Sequence, residues 1–267
     1  MIPKIIHYIW LGGNAPNSEI RGYMSTWNKL QDEGYSVMKW DENYLTTCSV
    51  PNVVKAALQY KKYAFVTDWM RLKILYEYGG IYLDTDVEIY KSFSDIIDSK
   101  KTPVAVFLGF IFDVSIGTAV IGAEQGNKLI CELLNQYNNA MYEYDVTAQT
   151  FTIKFDFMPE MYMVNNNDMF TAYFLNYVDG FLLNGKKQIC GVNRDIMVCP
   201  KEYFEGYSLD FRHNYSIHHC CGSWRNSEKH NKNSVFRALK RFYIMRWIKD
   251  VHARSTRKNL PFFDKRV

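Results

Sequence analysis

Apolar positions fall into short runs separated by glycine, asparagine and charged residues, and the period of those runs changes along the chain. Ile5-Ile6-His7-Tyr8-Ile9-Trp10 is a compact β-branched and aromatic run that stops at Leu11-Gly12-Gly13-Asn14. This predicts a buried strand delivering a glycine-containing loop. Ser18 to Leu30 predicts a helix, and Tyr35 to Trp40 alternates as a second strand. Asn52 to Tyr60 and Tyr63 to Tyr78 predict two further helices. The second carries Phe65, Met70, Leu72, Ile74 and Leu75 around its circumference and closes at Gly79-Gly80. Ile81-Tyr82-Leu83 is then a short strand running into Asp84-Thr85-Asp86, with Val87 to Tyr90 strand-like beyond it. Strands are also expected at Pro103 to Phe112, Thr118 to Gly122, Ile196 to Cys199 and Tyr215 to His219, and helices at Lys128 to Tyr137 and Asp168 to Tyr177. Tyr142 to Asp168, rich in Met, Tyr and Asn, reads as a loop-and-hairpin insertion near an acceptor. No internal repeat interrupts the series, and one α/β domain is expected.

Composition supports a folded chain. Of 267 residues, 48% are apolar and 16% aromatic, far from the composition of disordered sequences. The first apolar stretch ends at Gly12-Gly13, too short for a secretory leader, and no run approaches the roughly 20 apolar residues that span a bilayer. A cytoplasmic location is therefore expected. Cys48, Cys131, Cys190, Cys199, Cys220 and Cys221 lack zinc-type spacing and read as reduced core thiols.

Net charge adds a boundary. The overall +4 divides unevenly, because residues 229–267 hold twelve Lys/Arg against two Asp, leaving the first 228 residues acidic. Two units are expected: a catalytic domain over 1–228 and a basic tail over 229–267. In the tail, Val235, Phe236, Leu239, Phe242, Tyr243, Met245, Trp247, Ile248 and Val251 recur at helical spacing, with Arg237, Lys240, Arg241, Arg246 and Lys249 interleaved. Such an amphipathic basic helix suits an anionic membrane surface, with packing on the domain as the rival arrangement. Nucleic-acid binding is the other use of such charge, and it is not the expectation here.

The chemistry centres on Asp84-Thr85-Asp86. Two carboxylates one residue apart, at the end of a short apolar strand, supply the hard oxygens that Mg2+ and Mn2+ prefer, with substrate phosphates completing the shell. Asp68 and Arg71, three apart on the preceding helix, share one face and suit either sugar and phosphate binding or a structural ion pair.

The strings Ile2-Pro3-Lys4-Ile5-Ile6-His7-Tyr8-Ile9-Trp10 and Ala64-Phe65-Val66-Thr67-Asp68-Trp69-Met70-Arg71-Leu72, followed by Gly79-Gly80-Ile81-Tyr82-Leu83-Asp84-Thr85-Asp86, closely resemble glycosyltransferase family 32. That is a DXD sugar-transferase family of the capsular-polysaccharide type, and the glucosylating clostridial toxins look like more distant relatives. The resemblance is strong over residues 2–90, weak through the middle, and returns at Ile217 to Trp224. It implies a GT-A fold, with a Rossmann-like nucleotide-binding sheet flanked by helices, and retention at the anomeric carbon. By the same resemblance, Trp10 would lie against the nucleotide base, Asp68 and Arg71 would contact donor sugar and phosphate, and Tyr82 would line that pocket. Asp84 would face ribose and metal, and Asp86 would ligate the metal directly. Ile217-His218-His219-Cys220-Cys221-Gly222-Ser223-Trp224 is similar to the family's closing element, with two cysteines where relatives carry aromatics. Imidazole can complete a carboxylate metal shell, so His218 is the favoured ligand and His219 the second choice, while Ser223 and Trp224 would reach the diphosphate.

Phe107 to Gly122, including Gly109, Phe110, Asp113, Ile116 and Gly117-Thr118-Ala119, resembles the region that closes over the donor sugar. Asn165-Asn166-Asn167-Asp168 stands where many relatives have Gly-Pro, so a substrate role and a solvated turn both remain open for Asn167 and Asp168. Glycoside hydrolysis would want two carboxyls flanking the scissile bond, a geometry Asp84 and Asp86 are too close in sequence to offer.

The implied activity is metal-dependent transfer of a hexose, possibly galactose, from a UDP-sugar. The acceptor would be a lipid-linked or oligosaccharide chain in bacterial surface polysaccharide synthesis, the cofactor Mn2+ or Mg2+, and the location the inner face of the cell membrane. A toxin-like transferase acting on protein and a non-enzymatic saccharide-binding module are the alternatives.

Overall fold

The structure, a computed structural model, describes residues 1–99, 103–158, 166–206 and 213–221, together with 251, 252 and 255. The basic tail, the 228/229 boundary, Ser223 and Trp224 lie outside the described residues, apart from those three tail positions.

The chain begins with β1 (Ile5–Ile9), α1 (Ser18–Ser25), α2 (Asn28–Asp32) and β2 (Ser36–Trp40). The single helix expected from Ser18 to Leu30 is two helices. Thr26 breaks it, because its hydroxyl donates to Tyr23 O at 2.6 Å and accepts from Ile89 N at 2.8 Å. A 3-10 turn (Glu42–Thr46), unpredicted, precedes α3 (Asn52–Gln59) and α4 (Tyr63–Tyr78). Next come β3 (Gly80–Leu83), β4 (Val87–Ile89) and a short α5 (Ser94–Ile97). β5 (Val106–Ile111) and β6 (Ser115–Ala123) form a hairpin, followed by α6 (Lys128–Asn139). The expected hairpin insertion is β7 (Met141–Asp145) with β8 (Thr150–Lys154). The chain continues through α7 (Asn166–Tyr177), β9 (Gln188–Cys190), β10 (Ile196–Cys199), α8 (Lys201–Phe204) and β11 (Ser216–His218).

Seven strands form a mixed sheet in the order β2-β1-β3-β6-β5-β10-β9. β1 pairs in parallel with both β2 and β3, and β5 with β10. β6 runs against β3 and β5, and β9 against β10, so five strands point one way and two are reversed. β6 is reversed because a three-residue turn joins it to β5, and so short a link can only make an antiparallel neighbour. Phe112 and Asp113 of that turn adopt φ of 56° and 59°.

Helices cover both faces, as a mostly parallel sheet requires. One core cluster buries Trp69, Met70 and Leu72 of α4 with Ile130 and Leu133 of α6 and Phe170 and Phe174 of α7. The other gathers Trp27 and Leu30 with Ile81 and Leu83 of β3, Phe93, Phe107, Phe204 and Tyr215. Gly79 and Gly80 make the exit from α4 into β3. Both have positive φ, and a Cβ on Gly80 would sit 2.6 Å from Ile5 O.

β1 lies between β2, which follows it in the chain, and β3, which comes later, so strand order reverses around β1. Crevices at such points, beyond the carboxyl ends of the strands, are where α/β sheets bind ligands. The Trp10 loop after β1 and the Asp84-Asp86 loop after β3 both open there.

Candidate active site

The turn after β3 is fixed by backbone. Asp84 N donates to Ala119 O and Val87 N to Asp84 O, at 2.9 and 3.0 Å. β4 then pairs antiparallel with β11, with His218 opposite Val87. This pairing carries His218 to the acidic turn: its Nε2 lies 3.4 Å from Asp86 Oδ1 and 4.0 Å from Asp84 Oδ2. One oxygen from each aspartate and one ring nitrogen thus lie within 4.8 Å of one another.

Asp86 is almost fully buried. Burial alone would raise its carboxyl, but the His218 imidazole and the Cys221 amide, whose N–H donates to Asp86 Oδ2 at 2.6 Å, outweigh it and hold it at about 2. His218 moves upward, because Cys220, Glu205 and Asp86 overcome the opposing effect of burial. Its Nδ1 lies 2.9 Å from Glu205 Oε2.

The other oxygen of Asp84 faces α4. Tyr82 donates its hydroxyl to Asp84 Oδ1 at 2.7 Å, and Arg71 Nη1 lies 3.5 Å from the same atom. Arg71 also reaches Asp68 Oδ1 through Nη2 at 2.8 Å, donates to Thr118 O at 2.7 Å, and sits over the Tyr82 ring at 4.6 Å from its centroid. Asp68 is pushed up to about 7, because burial and the nearby Asp84 charge exceed the opposing pull of Arg71. Burial holds the Tyr82 phenol far above its ordinary value, so it keeps its proton and donates.

The expected residues therefore divide. Asp68, Arg71, Tyr82, Asp84, Asp86 and His218 form one continuous network. His219 points the other way: it is bound to Glu88 at 2.8 Å and stacked on Tyr23 at 3.9 Å, with only its backbone N–H reaching Asp86 O. Trp10, half-buried after β1, turns its indole N–H onto Asn14 O. Asp113 pairs with Lys201 at 2.7 Å. Asn167 accepts from Thr118 Oγ1 at 2.9 Å and so joins the Arg71 network, and Asp168 is buried. Cys190 and Cys199 are buried thiols as expected. The other four are not core thiols: Cys48, Cys131 and Cys221 are half-buried, and Cys220 is exposed with Sγ 3.5 Å from His218 Nδ1.

Sequence reasoning missed Glu205, Thr118 and Glu88. Thr118 was named only within a run, and Glu205 and Glu88 are isolated glutamates with no local pattern to mark them.

Two carboxylates and one imidazole fit Mn2+ well and Mg2+ acceptably, since imidazole favours the softer ion of the pair. Residues 16–103 match the family model described as the glycosyltransferase sugar-binding region containing a DXD motif. That region is similar to the DXD glycosyltransferases over about a third of the chain.

The matched region holds Asp68, Arg71, Tyr82, Asp84 and Asp86, while His218 and Glu205 come from beyond it. Over 117 residues the chain is 35% identical to the uncharacterized glycosyltransferase L373 of Acanthamoeba polyphaga mimivirus, covering 42% of this chain and 43% of that protein. The match thus spans under half the length of that relative. Two solved structures are also similar. The PaToxG glycosyltransferase is 20% identical, with TM-score 0.47, over 66% of this chain and 69% of that one. A glycosyltransferase involved in the glycosylation of the major capsid of PBCV-1 is 12% identical, with TM-score 0.41, over 82% and 94%. Among the described residues no helix is long and apolar enough to cross a membrane.

Proposed function

We propose that the chain is a retaining, metal-dependent glycosyltransferase that moves a hexose from a UDP-sugar to a saccharide acceptor. The observation that carries this reading is the meeting of Asp84, Asp86 and His218 beside the Asp68–Arg71 pair.

Asp84 Oδ2, Asp86 Oδ1 and His218 Nε2 would hold Mn2+ or Mg2+. A cation there supplies Lewis-acid stabilisation of the departing diphosphate. The protein's own groups do the rest. Arg71, held planar between Asp68, Thr118 O and the Tyr82 ring, sets a permanent positive charge where the leaving group gains negative charge. Asp68, close to neutrality, can donate or accept a hydrogen bond at a sugar hydroxyl. In a front-face displacement the C1–O bond to the diphosphate breaks as the acceptor oxygen approaches the same face. The acceptor proton passes to the departing phosphate oxygen, so no protein base is required. Trp10, Ser223 and Trp224 are assigned to base and diphosphate.

The finer assignment is synthesis of bacterial surface polysaccharide on a lipid-linked acceptor, with the basic tail over 229–267 resting on the inner face of the membrane.

Calorimetric titration with UDP in Mn2+ tests the core of the reading. Binding should vanish with EDTA, and Asp86→Ala should lower affinity in Mn2+ by at least about 10-fold. Equal UDP affinity with and without cation would defeat the proposal.

A further inference from the structure

The triad accounts for one nitrogen of His218. The other, Nδ1, lies 2.9 Å from Glu205 Oε2, and the Glu205 side chain is only 7% exposed. Four features hold this carboxyl in place. Glu205 caps α8, donating its N–H to Lys201 O at 2.8 Å. Lys201 is anchored to Asp113 in the β5–β6 turn at 2.7 Å. Ser216 of β11 donates to Phe204 O at 3.1 Å, tying α8 to the strand that carries His218. Gly117 of β6 leaves the space that Oε1 occupies, since a Cβ there would sit 2.6 Å from it.

A neutral imidazole has one N–H and one lone pair. A carboxylate at Nδ1 can only accept, so the proton belongs on Nδ1 and the lone pair on Nε2, the atom that faces Asp84 and Asp86. Cys220 Sγ also approaches Nδ1, at 3.5 Å, but a thiol accepts weakly and this one is exposed. We propose that Glu205 is a positioning residue that fixes the ring and tautomer of His218, so that Nε2 ligates the cation held by Asp84 and Asp86. This rests on the metal-dependent reading above. A carboxylate behind a ligating histidine raises its basicity and sets its orientation.

The test uses the full chain loaded with Mn2+ alone and reads two quantities: Mn2+ affinity from the free-ion electron paramagnetic resonance signal, and the ¹⁴N modulation that a directly bound imidazole imposes on the bound ion. Wild type should show the modulation and His218→Ala should lose it. Glu205→Ala should bind Mn2+ about 10- to 100-fold more weakly and show diminished modulation. Glu205→Asp, which withdraws the carboxylate by one methylene, should move both the same way and serves if the alanine variant does not fold. Glu205→Gln, whose amide oxygen still accepts from Nδ1–H, should retain the modulation. A folded Glu205→Ala or Glu205→Asp with a lowered melting temperature but wild-type Mn2+ affinity and modulation overturns the inference alone. Wild type that binds no Mn2+, or binds it without ¹⁴N modulation, overturns the triad itself, so the two failures are distinguishable.

Discussion

Arg71 reaches four partners with one planar group: Asp68, Asp84, Thr118 O and the Tyr82 ring. Lysine has a point charge on a flexible stem and cannot serve them together. Arg71→Lys should therefore lower kcat/KM by about 100-fold, the scale of losing one preorganised electrostatic donor. Circular dichroism should remain that of the wild type. Steady-state kinetics with the donor identified by nucleotide-sugar screening provide the check, and a change below threefold would remove Arg71 from the chemistry.

Elements meet through single atoms as well as through surfaces. His7 of β1 is fully buried; its Nε2 donates to Gly79 O at the end of α4 at 2.7 Å, and its Nδ1 accepts from Trp40 Nε1 of β2 at 3.1 Å. The bond accepted from Trp40 needs the neutral ring, since a protonated Nδ1 has no lone pair to accept it. Burial lowers its pKa from 6.5 to about 4, against a smaller opposing effect of the Gly79 carbonyl. The unfolded chain thus takes up this proton near pH 6.5 and the folded chain only near pH 4, so the unfolded state binds more protons between those values. Stability should fall by up to about 3 kcal/mol as pH drops through that window, and His7 should add no further slope outside it. Urea unfolding of wild type and His7→Gln at pH 7, 5.5 and 4.5 measures this as a flatter profile for the variant. β5 and β6 meet more tightly still: a Cβ on Gly122 would lie 2.0 Å from the Phe107 ring, which stacks on Phe93. Gly122→Ala should cost about 1–3 kcal/mol through forced repacking, read as a lower urea midpoint with unchanged m-value.

At the scale of the molecule, the sheet gathers two loops at its reversal point and β11 brings a third segment to them. In the proposed function the basic tail over 229–267 docks the acidic remainder on an anionic surface. Deleting 229–267 should release the protein from vesicles containing phosphatidylserine while leaving donor hydrolysis measurable. Unchanged co-sedimentation would remove the membrane role from the tail.

What the sequence determined is local. The β-branched run before Trp10, the helical period from Tyr63 to Tyr78, the glycine pair after it and the Asp84-Thr85-Asp86 triplet each specify their own conformation or chemistry within a few residues. Asp68 and Arg71 share a helix face by spacing alone, whereas His218 was singled out through the resemblance of Ile217 to Trp224 to the family's closing element. Short or weakly patterned pieces escaped: four residues of α8 and three of β9 are too few to show a period, and Thr26 broke a helix by bonding to a strand that begins at Val87. Tertiary structure decided which distant groups meet. The β4–β11 ladder brings His218 to Asp84 and Asp86, the hairpin turn reverses β6, and α8 sets Glu205 behind the imidazole. Such contacts depend on loop closure and packing between segments far apart in the chain, and these leave no period in the local order of residues.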